Sequence, residues 1–109
     1  MSDKTQMLKG ILDGCILSIM SKNEVYGYEL SEKLKNSGFF EISEGSIYPL
    51  LSRMQKEGFI EGTFKDSPDG PKRKYYHVTE KGLQTLESFK KSWNELQTNV
   101  NNILTKGGD

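Results

Sequence analysis

Six apolar residues near the end of the chain, Leu86, Phe89, Trp93, Leu96, Val100 and Ile103, follow one another at spacings of 3, 4, 3, 4 and 3. That is a heptad seam sustained over about three heptads, and it predicts a long helix with a narrow apolar stripe. Such a stripe has to be buried against something. The rest of the chain has little to offer it. The sequence has 109 residues, of which 34% are hydrophobic, enough for one domain with a modest core. The seam therefore predicts a homodimer built on the last helix, with Thr79 as the N-cap of that helix.

The remaining elements are read from period and punctuation. Residues from about Thr5 to Met20 form a first helix, because Leu8, Ile11, Leu12, Cys15, Ile16, Ile19 and Met20 keep a 3–4 spacing. SKNEV breaks that pattern. A second helix follows from about Tyr26 to Asn36, with Gly38 as its left-handed stop. The third helix lies within SEGSIYPLLSRMQKEGFI. Ser43 is its N-cap, and Glu44 suits the positive end of its dipole. Ile47, Leu50, Leu51 and Met54 share one face. Pro49 predicts a local irregularity, since proline removes a backbone donor and crowds the preceding turn. After Gly58 the period changes. FIEGTFK and KRKYYHV are rich in aromatic and β-branched residues and read as two strands, joined by the turn residues DSPDGP. The expected fold is mainly α with a small β-hairpin. It comprises a winged helix-turn-helix over residues 1–78 and a long C-terminal dimerisation helix over residues 79–109, the two forming one compact unit.

Catalysis is not expected. His77 is the only histidine and Cys15 the only cysteine, so a metal centre would lack ligands. No phosphate-binding glycine loop occurs, and no cofactor is implied. A single cysteine forbids an internal disulfide. The opening MSDKTQMLKG lacks the layout of a secretion signal, and no apolar run approaches the ~18–20 residues of a membrane span. No membrane partner and a cytoplasmic location are expected. Cys15 itself reads as a small buried hydrophobe.

The net charge is zero, which is not the basic balance usual in a nucleic-acid binder. A neutral total can still hide a local patch. The polar face of the third helix carries Ser46, Tyr48, Arg53 and Gln55. In a recognition helix, Ser43, Ser46 and Tyr48 would meet base edges or phosphates, and Arg53 a phosphate. Lys72, Arg73 and Lys74 stand in a row after the turn. They repel one another, so a phosphate backbone outside the chain would give them a purpose. A solvated helix face and a charged edge strand protected against aggregation are the competing readings. Trp93 is bulky for a tight two-stranded seam. If two seams splay, their indoles face a gap suited to a flat aromatic ligand. Gln97 and Val100 would line that gap from the same helix and Met7 and Ile11 from the first, and Asp13 would attract a cation if it points inward. The alternative is that Trp93 is ordinary interface core with Leu86, Phe89, Leu96, Val100 and Ile103.

YGYEL at Tyr26–Leu30, GSIYPLLSRMQKEGFI at Gly45–Ile60 and GPKRKYYHVTEKG at Gly70–Gly82 resemble the PadR family of bacterial transcriptional regulators. LKGILDGCILSIM at Leu8–Met20 is similar to the family's first helix. The likeness extends over roughly Leu8 to Trp93, and the single short C-terminal helix resembles the small subfamily. The resemblance implies a homodimeric winged-helix repressor bound to an inverted-repeat operator in double-stranded DNA. Some members of the small branch sense planar drugs at the dimer interface through a tryptophan of the last helix, which implies multidrug sensing at Trp93. Two other functions stay open: a ligand-binding helical dimer, and a protein–protein adaptor on a winged-helix scaffold.

Overall fold

A computed structural model of the chain describes residues 7–8 and 10–105. Its elements in order are α1 (Leu12–Lys22), β1 (Val25–Tyr26), α2 (Gly27–Asn36), α3 (Glu44–Lys56), β2 (Ile60–Lys65), β3 (Arg73–Val78) and α4 (Glu80–Thr105). The protein is mainly helical, with one small antiparallel sheet and a long last helix. This is a winged helix-turn-helix with a C-terminal helix of the dimerisation type.

The first helix begins later than its apolar pattern suggests. Met7 and Leu8 are helical, Gly10 and Ile11 form a turn, and α1 starts only at Leu12. Thr5 lies outside the described residues. The Ile11 amide donates to the Leu8 carbonyl, a bond one residue tighter than an α-helix makes. Glycine inside a helix costs about 1 kcal/mol relative to alanine, so Gly10 is a natural place for the break.

The second helix also starts later, at Gly27, because Tyr26 is extended. The cause is a third strand. Val25 and Tyr26 pair antiparallel with Tyr76 and Tyr75 of β3. On its other edge β3 pairs with β2, from Ile60 opposite Val78 to Lys65 opposite Arg73. The strand order is β1-β3-β2. Gly38, at φ 106°, ends α2 in the left-handed region. The Gly38 amide donates to the Lys35 carbonyl and the Phe39 amide to that of Leu34, which closes the last turn. Helix α3 runs unbroken through Pro49, so the expected irregularity does not interrupt it. The carbonyl deprived of a donor is that of Gly45, an exposed residue that water can reach.

Ile16 and Leu17 of α1, Leu30 and Leu34 of α2, and Ile47, Leu51 and Met54 of α3 are fully buried together. Val25 and Ile60 close this core from the sheet. One face of α3 is thus spent on the core, which leaves the opposite face outside.

Helix α4 is joined to this core through Thr79. The Thr79 hydroxyl accepts from the Gly82 amide at 3.1 Å and donates to the Gly58 carbonyl at 2.6 Å. The Thr79 amide donates to the Phe59 carbonyl. Lys81 Nζ donates to the Glu57 carbonyl at 2.7 Å, just past the end of α3. One threonine therefore caps α4 and satisfies an orphan carbonyl beyond α3. The packing is close enough that a Cβ on Gly82 would lie 2.1 Å from the Phe59 carbonyl oxygen. Alanine normally stabilises a helix by about 1 kcal/mol relative to glycine. Here Gly82→Ala should instead destabilise the protein by roughly 2–3 kcal/mol, because backbone has to move. Thermal unfolding at fixed protein concentration tests this, and an unchanged or higher melting temperature would show a looser junction.

Candidate functional site

Helix α3 presents its polar face beside the hairpin. The Ser43 hydroxyl accepts from the Ser46 amide at 3.2 Å and lies 3.0 Å from the Ser46 hydroxyl. Ser43 is thus engaged first as a helix cap. Ser43, Ser46 and Tyr48 are all exposed. The Tyr48 ring rests on Gly27, where a Cβ would come within 2.7 Å of it. Glycine at the start of α2 is what lets the phenol lie there.

Arg53 stands differently. Its Nη2 donates to Asp13 Oδ1 at 2.7 Å, and its Nη1 donates to the Glu57 carboxylate at 3.3 Å. The bond to Asp13 is the larger cause holding the guanidinium even further toward its charged form. Arg53 therefore braces α3 against α1. Asp13 is spent on that pair and does not line the hollow described below, so it is not the inward attractor of cations that its position suggested.

The three wing cations have separate surroundings. Lys72 is exposed and has no partner among the described residues. Arg73 pairs with Asp69 and lies over the Tyr26 ring, 4.4 Å from its centroid. Lys74 Nζ is 5.4 Å from the centroid of Tyr76 and 5.8 Å from that of Phe64. All three nevertheless border one cleft of about 230 Å³, together with Tyr48 of α3. Tyr26, Gly27 and Tyr76 complete its lining. Sequence reasoning missed these three. The only signal was the density of tyrosine around both motifs, YGY and KYY. Tyr76 is 7% exposed. Burial, and then the nearby Tyr48, push its phenol up from the usual tyrosine value.

The seam on α4 divides in two. Leu86 is 3% exposed and belongs to its own chain's core. Phe89 rests on Gly14 of α1, where a Cβ would be 2.3 Å from the ring. Beyond them Trp93, Leu96, Val100 and Ile103 are between 39% and 59% exposed, with Leu104 beside them. Met7, Ile11, Trp93, Gln97 and Val100, the five residues expected around a ligand, line one hollow of about 470 Å³ with Leu96 and Asn101. Trp93 and Ile11 also border a groove of about 440 Å³ between α1 and α4. Half-buried Cys15 lines that groove, and burial pushes its thiol up, toward the unreactive protonated form. Among the described residues no cluster of three or more metal-binding side chains occurs, and no helix is long and apolar enough to cross a membrane.

A sequence model of the transcriptional regulator PadR-like family matches residues 16–88. A crystal structure of a PadR-like transcriptional regulator from Bacillus cereus superposes with a TM-score of 0.85 at 68% identity, covering 91% of this chain and 96% of that one. A Streptococcus transcriptional regulator superposes with a TM-score of 0.83 at 42% identity, over 90% of this chain and 96% of that one. The negative transcriptional regulator PadR of Bacillus subtilis is 32% identical over 83 residues, which cover 72% of this chain but 44% of that protein. This chain thus spans less than half the length of that relative.

Proposed function

The chain belongs to the transcriptional regulator PadR-like family, whose members are not enzymes, and from that footing we propose that it is a homodimeric repressor that grips an inverted-repeat operator in double-stranded DNA and releases it when a small planar aromatic molecule binds. The observation that carries the DNA reading is the meeting of Tyr48 with Lys72, Arg73 and Lys74 at one cleft. A helix that reads a groove and a hairpin that follows phosphates have to work on the same side of the molecule. In this reading residues 1–78 bind DNA and residues 79–109 hold the dimer. Ser46 and Tyr48 meet the groove, Ser43 fixes the helix start that enters it, and the wing cations neutralise phosphates. Arg53 would have to leave Asp13 to reach a phosphate, so its first role is to brace the reading helix.

The dimer face is the exposed part of the seam, Trp93, Leu96, Val100 and Ile103, with Leu86 and Phe89 anchoring its root. Two copies about a twofold axis would place two α3 helices for two half-sites. The hollow around Trp93 shares Leu96 and Val100 with that face, so a second copy would wall it in. Indole walls and one polar neighbour, Gln97, suit a flat aromatic effector.

Light scattering at micromolar concentration should give about twice the 12.4 kDa chain mass, and a clean monomer would end the dimer reading. Leu96→Asp should dissociate the dimer or unfold it, because an unpaired charge would be buried. Replacing Lys72, Arg73 and Lys74 together by alanine should weaken duplex binding. It should also flatten the salt dependence by about 0.9 in slope for each phosphate that is no longer neutralised. An unchanged slope would mean that the run faces solvent. Trp93 is the only tryptophan, so its fluorescence reports on the hollow. A planar cationic dye should quench it saturably and loosen DNA, and Trp93→Ala should cost roughly 1–3 kcal/mol of dye binding. Indoles packed on each other and unquenched by such dyes would exclude an effector there.

A further inference from the structure

The groove between α1 and α4 has a direction. One face of α1 lines it from Ile11 to Lys22, through Gly14, Cys15, Ser18 and Ile19. At 1.5 Å per residue, the eleven steps from Ile11 to Lys22 make a trough about 16 Å long. Leu34 and Leu86, both buried, form its floor, and Phe39 and Phe89 line it as well. Its two ends differ. The Trp93 indole stands with Ile11 at one end. At the Lys22 end the trough runs into a second hollow of about 380 Å³, with which it shares Ile19, Lys22 and Ser37. Lys33, Asn23 and Asn36 complete that mouth.

The mouth is cationic. Among the described residues no aspartate or glutamate lines the trough or the mouth, and neither Lys22 nor Lys33 has an ion-pair partner. The carboxylates nearest to them in sequence are engaged elsewhere. Glu24 pairs with Lys65, and Glu32 accepts from the Tyr28 hydroxyl. Lys22 and Lys33 lie in the last turns of α1 and α2, where the helix dipoles favour cations. That accounts for their place on the helices, not for the apolar trough that ends beside them. A long apolar trough with cations at one end fits an extended hydrocarbon chain with an acidic head. The distal part of a second α4, Leu96–Thr105, carries no carboxylate and would leave those cations unmatched. We propose that the trough binds a single-chain anionic amphiphile of the fatty-acid class, with its chain between α1 and α4 and its carboxylate at Lys22 and Lys33. This site is separate from the hollow that a planar effector would take, although the two meet at Ile11 and Trp93. It does not rest on the DNA-binding reading.

The test uses the full chain and dodecanoate as the probe, below its micellar concentration. Cys15 is the only cysteine and lines the trough, so its alkylation by iodoacetamide reports on occupancy. Trp93 emission reports on the far end. Dodecanoate should slow the alkylation saturably. From octanoate to dodecanoate the affinity should rise about fourfold per methylene, as burial of each CH₂ requires. It should level off in longer acids, once the chain exceeds the trough. Dodecanol, with the same chain and no charge, should bind about fivefold more weakly. Lys22→Gln combined with Lys33→Gln should abolish that difference with the melting temperature unchanged. If dodecanol protects Cys15 as well as dodecanoate does, or if affinity keeps climbing with chain length, the mouth selects nothing and the proposal is overturned. If dodecanoate changes neither the alkylation rate nor the Trp93 emission, the proposal is likewise overturned. A thiol already protected in that case identifies a second copy of the chain as the occupant.

Discussion

The contact on which the rest of this structure depends is that of Phe89 with Gly14. Because α1 has no side chain at that point, α4 can approach until the Phe89 ring lies on the α1 backbone. Only at that distance does Leu86 reach the core. The same contact decides what happens further along. Once Phe89 is seated, Trp93 falls at the rim of α1 beside Ile11, and every later seam residue is carried past the body of the protein. One small residue in α1 thus sorts a uniform heptad stripe into an internal half and an external half. A side chain at position 14 would trade helix propensity, worth about 1 kcal/mol, against the loss of this whole arrangement.

A comparable division governs α3. Ile47, Leu51 and Met54 hold one face in the core, and the other face is free for polar work. Its placement is fixed at several points. Tyr48 lies on Gly27, Arg53 bonds Asp13, and the end of the helix is tied to α4 through Thr79 and Lys81. The charges involved are exposed, so each contributes little to stability on its own. Their effect is positional, since Arg53 ties α3 to α1 and Lys81 ties its end to α4, while the uncharged Tyr48 ring meets α2.

Much of this was legible in the sequence, for physical reasons that also explain what was not. Helices α2, α3 and α4 announce themselves by period, and Ser43, Thr79 and Gly38 mark their ends by local chemistry. The hairpin is announced by a change of period and by turn residues. β1 was invisible because two residues have no period, and its pairing with β3 is a tertiary fact. That pairing in turn moved the start of α2. The break at Gly10 is a local signal outweighed by a long apolar pattern. Among the candidate site residues, the wing was visible as a run of charge, but Asp69, Tyr26 and Phe64 as its neighbours were not. A heptad repeat likewise cannot say which partner covers which residue, so Leu86 and Leu96 look alike in sequence and differ in the fold.

The junction at Thr79 has a mechanical meaning. Its bonds to Gly58 and Gly82, with Lys81 on Glu57, leave no slack between the end of α3 and the root of α4. Helix α4 has 26 residues, so it is a rod about 39 Å long, and pivoting it by about 5° moves its tip by roughly 3 Å. With a stiff elbow, such a swing cannot be absorbed where the rod meets the body. The body has to turn with it, as the points of a pair of calipers turn with their arms. The spacing between two bodies joined at their rods is then set by whatever lies between the rods.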